Sequence, residues 1–225
     1  MNIFEKEIFN MYEEINIGKS EICRQCRNAT YDLCKPVSIW QVGDNYYDSQ
    51  YRLLFVGKVA RGEPGKQYND FMDSTERADV LYTRKGWAYW NYTKAITSAL
   101  YGENSWEKVA FTNMVKCNNS TTVDKTNEFT KDCCLHIVKK EVDILKPKHI
   151  IFYTKNAYDE QIEEIFDSIL NSKKDDVRIG KKIMNKWTFT GLINKNEIKV
   201  IRVGHPERMK KSDYINEIIN YIKEL

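Results

Sequence analysis

The residues with most capacity for chemistry are cysteines. Cys23-Arg24-Gln25-Cys26 is a CxxC, a spacing that suits zinc, thiol–disulfide exchange or an iron–sulfur cluster equally well. Cys117 and Cys133 follow, sixteen positions apart. Four thiolates satisfy either a tetrahedral zinc ion or a cubane cluster, whereas free cysteines are often buried simply as small apolar side chains. His205 is the next feature, in Gly204-His205-Pro206 directly after an apolar run. A histidine at a strand end is well placed to exchange or donate a proton, and its plainer use is to cap a loop. Asn113 ends another apolar run and offers both a donor and acceptors; its plainer use is to turn the chain.

The elements that must position these residues follow from periodicity and punctuation. Ile3, Ile8, Met11, Tyr12 and Ile15 recur at helical spacing, which predicts an amphipathic helix over 2–17. A Cys-containing loop follows, punctuated by Pro36 and Gly43. Residues 52–57 predict a buried parallel strand ending at Gly57, with a long polar, Gly-rich loop from Lys58 onward. Loops of that length inside compact domains are usually functional or disordered. A helix is predicted over 86–101 with Gly102 as its C-cap, a strand over 109–113, and a helix over 128–145 that stops before Pro147. Then come a strand over 149–153, a helix over 156–171, a solvated turn at 173–176, strands over 187–193 and 197–203, and a helix over 211–224. Strands alternating with helices predict an α/β fold with a central, mostly parallel sheet covered on both faces. Ligands of such sheets bind beyond the carboxyl ends of the strands, where the loops after Val56, Thr112 and Val203 lie.

Composition narrows the function. Of 225 residues, 42% are hydrophobic, enough for an ordinary core, so global disorder is excluded. A net charge of only +3 excludes a histone-like polycation, so a nucleic-acid site must come from local clustering of Lys and Arg. The 14 Tyr, 9 Phe and 5 Trp serve mainly as core, with stacking on bases a second use. No run approaches the roughly 20 apolar residues that span a bilayer, and residues 1–19 lack a continuous apolar core of the signal-peptide kind. The expectation is a cytoplasmic protein with no membrane partner. Cytosolic thiols are kept reduced, so metal or cluster ligation is the default for the paired cysteines.

Taken in order, Gly57 after a strand, Thr112-Asn113-Met114-Val115-Lys116-Cys117, a cysteine sixteen positions on, a further strand and Gly204-His205-Pro206 resemble the iron–sulfur (family four type) uracil-DNA glycosylases. The resemblance spans residues 20–220. It implies a three-layer α/β/α sandwich around a central, mostly parallel four-stranded sheet, in one domain over 1–225 with the N-terminal helix and CxxC loop packed onto it. It implies that Cys23, Cys26, Cys117 and Cys133 hold a [4Fe–4S] cluster, with structural zinc as the alternative. Cys34 and Cys134 are left over, and the spacing favours Cys133 over Cys134. The implied partner is DNA, duplex or single-stranded, bound by a monomer.

The resemblance also assigns roles at the site. His205 contacts the base carbonyl and supports the anion that develops as the base departs. Asn113 reads the base edge, Tyr82 falls where the family stacks an aromatic ring, and Gly57 and Lys58 border the pocket. Arg208, Met209 and Lys210 occupy the loop that enters the minor groove, and Arg61, Lys66, Arg84, Lys85 and Lys116 extend a phosphate-binding rim. The family's first motif, roughly Gly-Glu-x-Pro-Gly, is not kept. Lys58 stands where its carboxylate belongs, and a cation there neither acts as that general base nor stabilises a cationic sugar. Glu63 is the nearest replacement acid, ahead of Asp70 and Asp73. The expected function is a DNA glycosylase that flips and excises uracil or a modified pyrimidine. The alternatives are a catalytically silent nucleic-acid-binding protein on the same scaffold and a zinc-stabilised α/β enzyme of unrelated chemistry.

Overall fold

The structure is a computed structural model that describes residues 2–29, 33–36, 41–61, 87–119 and 126–224. Among these, helices α1 (Ile3–Glu14) and α2 (Glu21–Ala29) lead into short strands β1 (Leu33–Pro36) and β2 (Gln41–Val42). Strand β3 (Leu53–Arg61), helix α3 (Ala88–Tyr101), strand β4 (Val109–Asn119), helix α4 (Glu128–Leu145) and strand β5 (His149–Phe152) follow. The remaining elements are α5 (Asp159–Ile165), β6 (Ser168–Ile179), β7 (Lys182–Ile193), β8 (Asn196–Arg202) and α6 (Lys211–Lys223).

Local chemistry sets several boundaries. Asn2 and Glu5 form a reciprocal capping box on α1, and Asn127 accepts the Thr130 N–H at the start of α4. Gly102 ends α3 at φ +75°, a conformation that costs glycine nothing. The β7–β8 turn places Asn194 and Lys195 at φ 50° and 67°, the type I′ pattern that suits tight hairpins.

The sheet runs in the order β1-β4-β3-β5-β8-β7-β6, with β2 also pairing to β4. Strand pairs β4–β3, β3–β5 and β5–β8 are parallel, and the outer pairs are antiparallel. Among the described residues the sheet is therefore mixed and has eight strands rather than the expected four. Alternation in β3 divides the core: Leu54 and Val56 face α1, α4 and α5, whereas Leu53 and Phe55 face α3 and α6.

Three further expectations are corrected. The helix predicted over 156–171 ends at Ile165, and Ser168 begins a strand that pairs with β7 through the supposed turn at 173–176. Ile162, Ile165 and Ile169 carry a helical spacing, but tertiary pairing overrides it. The outer strand β6 is mostly exposed and carries Lys173, Lys174, Asp175 and Asp176, charges that discourage edge-to-edge association. The predicted Cys-containing loop is in part helix α2, so Cys23 and Cys26 lie one turn apart on a helix. Strand β3 continues through Lys58 to Arg61 instead of turning into a loop at Lys58.

A buried polar network crosses the core beside the parallel strands. Glu141 of α4 is fully buried, and its carboxylate accepts from Tyr12 Oη, from Thr112 Oγ1 at 2.8 Å and from Lys116 Nζ at 2.5 Å. The Lys116 ammonium also donates to Thr112 Oγ1 at 2.6 Å. Lys116 is 2% exposed, which removes it from any phosphate-binding rim. A second network fixes the added strands: buried Arg202 of β8 holds Asp159 of α5 through two bonds of 2.8 and 2.9 Å and reaches Asn185 of β7 at 2.6 Å.

Breaking a buried ion pair strands the other charge, at a cost of about 3–5 kcal/mol. Glu141→Ala is expected to lower the unfolding free energy by about that amount in urea titrations. Replacing both partners together, Lys116→Met with Glu141→Leu, is expected to recover most of the loss, because no unpaired charge remains.

Candidate functional site

The carboxyl ends of the parallel strands align in one row. Asn113 of β4 pairs in register with Gly57 of β3, Val56 with Phe152 of β5, and Phe152 with Arg202 of β8. One step further, Tyr153 N–H donates to Val56 O at 2.9 Å and Val203 N–H to Phe152 O at 2.8 Å. Asn113, Gly57, Tyr153 and Val203 therefore stand side by side, and Tyr153 and Val203 belong to the α3/α6 face of the core.

Gly57 has a steric reason to be glycine. A Cβ there would lie 2.3 Å from Asn113 Oδ1, so the missing side chain is what lets the buried carboxamide lie across the strand end. Aromatic contacts carry the row to His205. The Tyr89 ring of α3 packs edge-on against Tyr153 at 5.2 Å and lies nearly parallel to His205 at 6.3 Å and 28°. His205 Nδ1 accepts the Glu207 N–H at 3.3 Å, which favours the neutral tautomer with its proton on Nε2. Tyr214 Oη holds the loop by donating to Gly204 O at 2.7 Å, and Tyr92 Oη by donating to Met209 O at 2.6 Å.

That loop does not present all its residues alike. Met209 packs partly onto the α3/α6 core, while Arg208 stands exposed at φ +64°. Lys210 pairs with Asp213 at 3.0 Å, a contact that holds the Asp213 carboxyl below its usual range. Lys58 is half-buried directly after Gly57, and Arg61 ends β3 opposite Asn119. Glu63, Lys66, Asp70, Asp73, Tyr82, Arg84 and Lys85 lie outside the described residues.

The structure adds three residues to this end of the sheet: Tyr89, Tyr153 and Lys155. Lys155 takes φ 56° and ψ −173°, a region ordinarily left to glycine, and its stem runs close to Gly204. Strain of this kind clusters at functional sites. Its signal in the sequence was the strand end at Tyr153, equivalent to those at Gly57 and Asn113. Tyr89 has no comparable signal, being one tyrosine among 14.

The fold also gathers thiols. Helix α2 packs on α4 and brings Cys23 and Cys26 to Cys133 and Cys134. Burial pushes the Cys133 thiol up to about 12, and the neighbouring thiols, including a hydrogen bond with Cys26, add to it. Burial likewise pushes Cys134 up to about 12, partly offset by the Lys116 N–H at 3.3 Å from its sulfur. Cys23 Sγ accepts the Gly18 N–H at 3.2 Å, and buried Cys117 follows Lys116 on β4, next to the strand position that contacts Cys134. Among the described residues no three ligand side chains close to coordination distance of one ion. The donor set nonetheless fits a thiolate-ligated group in kind, since burial keeps the Cys133 and Cys134 thiols neutral unless a cation displaces their protons.

Gly57→Ala tests the strand-end geometry. It is expected to displace the Asn113 carboxamide, seen as a shift of that side-chain amide signal by NMR, with a stability loss of about 1–3 kcal/mol. No model of a known protein family matches this chain, and no curated protein matches it either.

Proposed function

We propose that this protein is a DNA glycosylase with a uracil-DNA glycosylase-like fold, which flips an abnormal or modified base out of DNA and hydrolyses its N-glycosidic bond. In this reading β4, β3, β5 and β8 are the family's four-stranded sheet, and β6 and β7 enlarge it. The observation that carries the proposal is the row Asn113–Gly57–Tyr153–Val203, which sets a carboxamide and an imidazole at one edge with aromatic rings between them. That is the equipment a flipped base requires: a polar reader, an aromatic wall and a donor for the departing anion.

Asn113 reads the base edge with one donor and its acceptor oxygen. The Nε2 proton of neutral His205 bonds the base oxygen on which negative charge grows as the glycosidic bond breaks. Tyr89 and Tyr153 narrow the pocket and exclude water from the departing base. Lys58 supplies no carboxylate for the cationic sugar, so Glu63 takes that part or the site works by positioning and electrostatics alone. Exposed Arg208 and Lys155, with Lys210 and Arg61, meet phosphates or the gap left by the flipped base. Cys23, Cys26, Cys117 and Cys133 would hold a [4Fe–4S] cluster, or zinc in its place, which when bound would tie α2 to α4 and β4 in a structural role. No helix among the described residues is long and apolar enough to cross a membrane.

The test is base release from single- and double-stranded DNA carrying uracil, hypoxanthine or modified pyrimidines. Abasic sites are expected from at least one substrate, and His205→Ala is expected to slow their formation about 10²–10³-fold. Lys58 favours a second reading, a silent nucleic-acid binder. Salt-sensitive DNA binding with no abasic product on any substrate would establish that reading instead. Iron and sulfide analysis of anaerobically prepared protein decides the metal, and a colourless zinc protein would rule out the cluster.

A further inference from the structure

The β6–β7 hairpin extends the sheet beyond the four parallel strands, and its far end is basic. Ile179 pairs with Lys182 across a two-residue turn, Gly180–Lys181, in which Gly180 takes φ +61° at the first central position of a type II′-like hairpin. Arg178, Lys181 and Lys182 are all exposed there, and none forms an ion pair among the described residues. The charges farther along the hairpin differ: Lys173 pairs with Asp175 at 3.0 Å, Lys174 with Asp159 at 3.0 Å and Lys186 with Glu217 at 2.5 Å. Unneutralised positive charge therefore concentrates at the tip.

The tip is also latched to the loop that follows His205. The Asp213 carboxyl, paired with Lys210 at 3.0 Å, is held below its usual range by Lys210 first, then by Ser212 and least by the backbone N–H of Gly180 beside it. Gly180 lies so close to Lys210 that an added Cβ would sit 3.0 Å from the Lys210 Cβ. Directly behind the turn, Ile179 and Met184 are buried in the α3/α6 core, and the Arg202 network holds β7 through Asn185. The tip is thus a fixed extension of the surface that carries Arg208 and Lys210. From His205 to Lys210 an extended chain spans at most roughly 18 Å, about the length of five base pairs.

We propose that the β6–β7 tip is a second anchor for the nucleic-acid backbone, in which Arg178, Lys181 and Lys182 bind phosphates within about five base pairs of the base held at His205. This rests on the reading of the site as a DNA pocket. The anchor lengthens the footprint along the duplex and leaves the chemistry to the strand ends.

The experiment compares the 225-residue chain with its triple variant Arg178→Gln/Lys181→Gln/Lys182→Gln on a duplex of about 20 base pairs, over a range of salt. The triple variant is expected to bind at least about tenfold more weakly and to lose about 2–3 from the slope of log affinity against log salt. Base release from a single-stranded trinucleotide, too short to reach the tip, is expected to be unchanged, as is duplex binding by Lys173→Gln. An unchanged salt slope in the triple variant, with the parent protein binding duplex, overturns the anchor alone. A parent protein that binds no nucleic acid at any salt overturns both the anchor and the DNA-pocket reading. Because Ile183 beside the tip is 62% exposed, vesicles containing phosphatidylserine are tested in parallel. Tip-dependent vesicle binding with duplex affinity unchanged also overturns the anchor.

Discussion

A single buried carboxylate couples the strand-end row to the thiol cluster of this protein. Glu141 draws Tyr12 from α1, and Thr112 and Lys116 from β4, onto α4. Thr112 precedes Asn113, so the same bonds hold the strand that presents the carboxamide. Lys116 precedes Cys117, and its N–H contacts Cys134, so they also hold the strand against the thiols. Four buried polar groups are paired with one another, and that pairing fixes the depth of β4 relative to both neighbouring helices.

Around that anchor the parallel register does the positioning. Hydrogen bonds between β4, β3, β5 and β8 bring residues far apart in sequence to one edge, and Gly57 leaves the space into which Asn113 fits. Beyond β8 the antiparallel hairpin is held by buried Arg202, whose charge is matched by Asp159 and by the oxygens of Asn185. Site and hairpin are thereby parts of one continuous sheet, and a charge at the hairpin tip keeps a defined position relative to His205.

Much of the framework was legible in the chain. The helix over 128–145 matches α4 residue for residue, because Asn127, Lys146 and Pro147 bound a clean helical period. The buried strands at 53 and 149 were legible as short apolar runs, and Gly102 as the end of α3. Residues 166–179 were not. Ile169 continues the helical spacing of Ile162 and Ile165, and only pairing with β7 shows that the backbone is extended. The exposure of Lys116 was misjudged for a related reason: lysine is normally solvated, and nothing nearby in sequence announces the partner 25 positions away.

The sequence by itself determined which residue types exist to do chemistry: the cysteines, His205, Asn113 and Lys58. It determined also that the chain alternates strands and helices, because those signals are local. Which of them meet was decided by tertiary structure alone. The pairing of Gly57 with Asn113, the packing of Tyr89 between Tyr153 and His205, the convergence of α2 and α4 thiols, and the latch between Gly180 and Asp213 join residues distant along the chain. Such contacts are set by strand register and by the burial of groups that find partners only in the folded core, and neither property is carried by any one stretch of sequence.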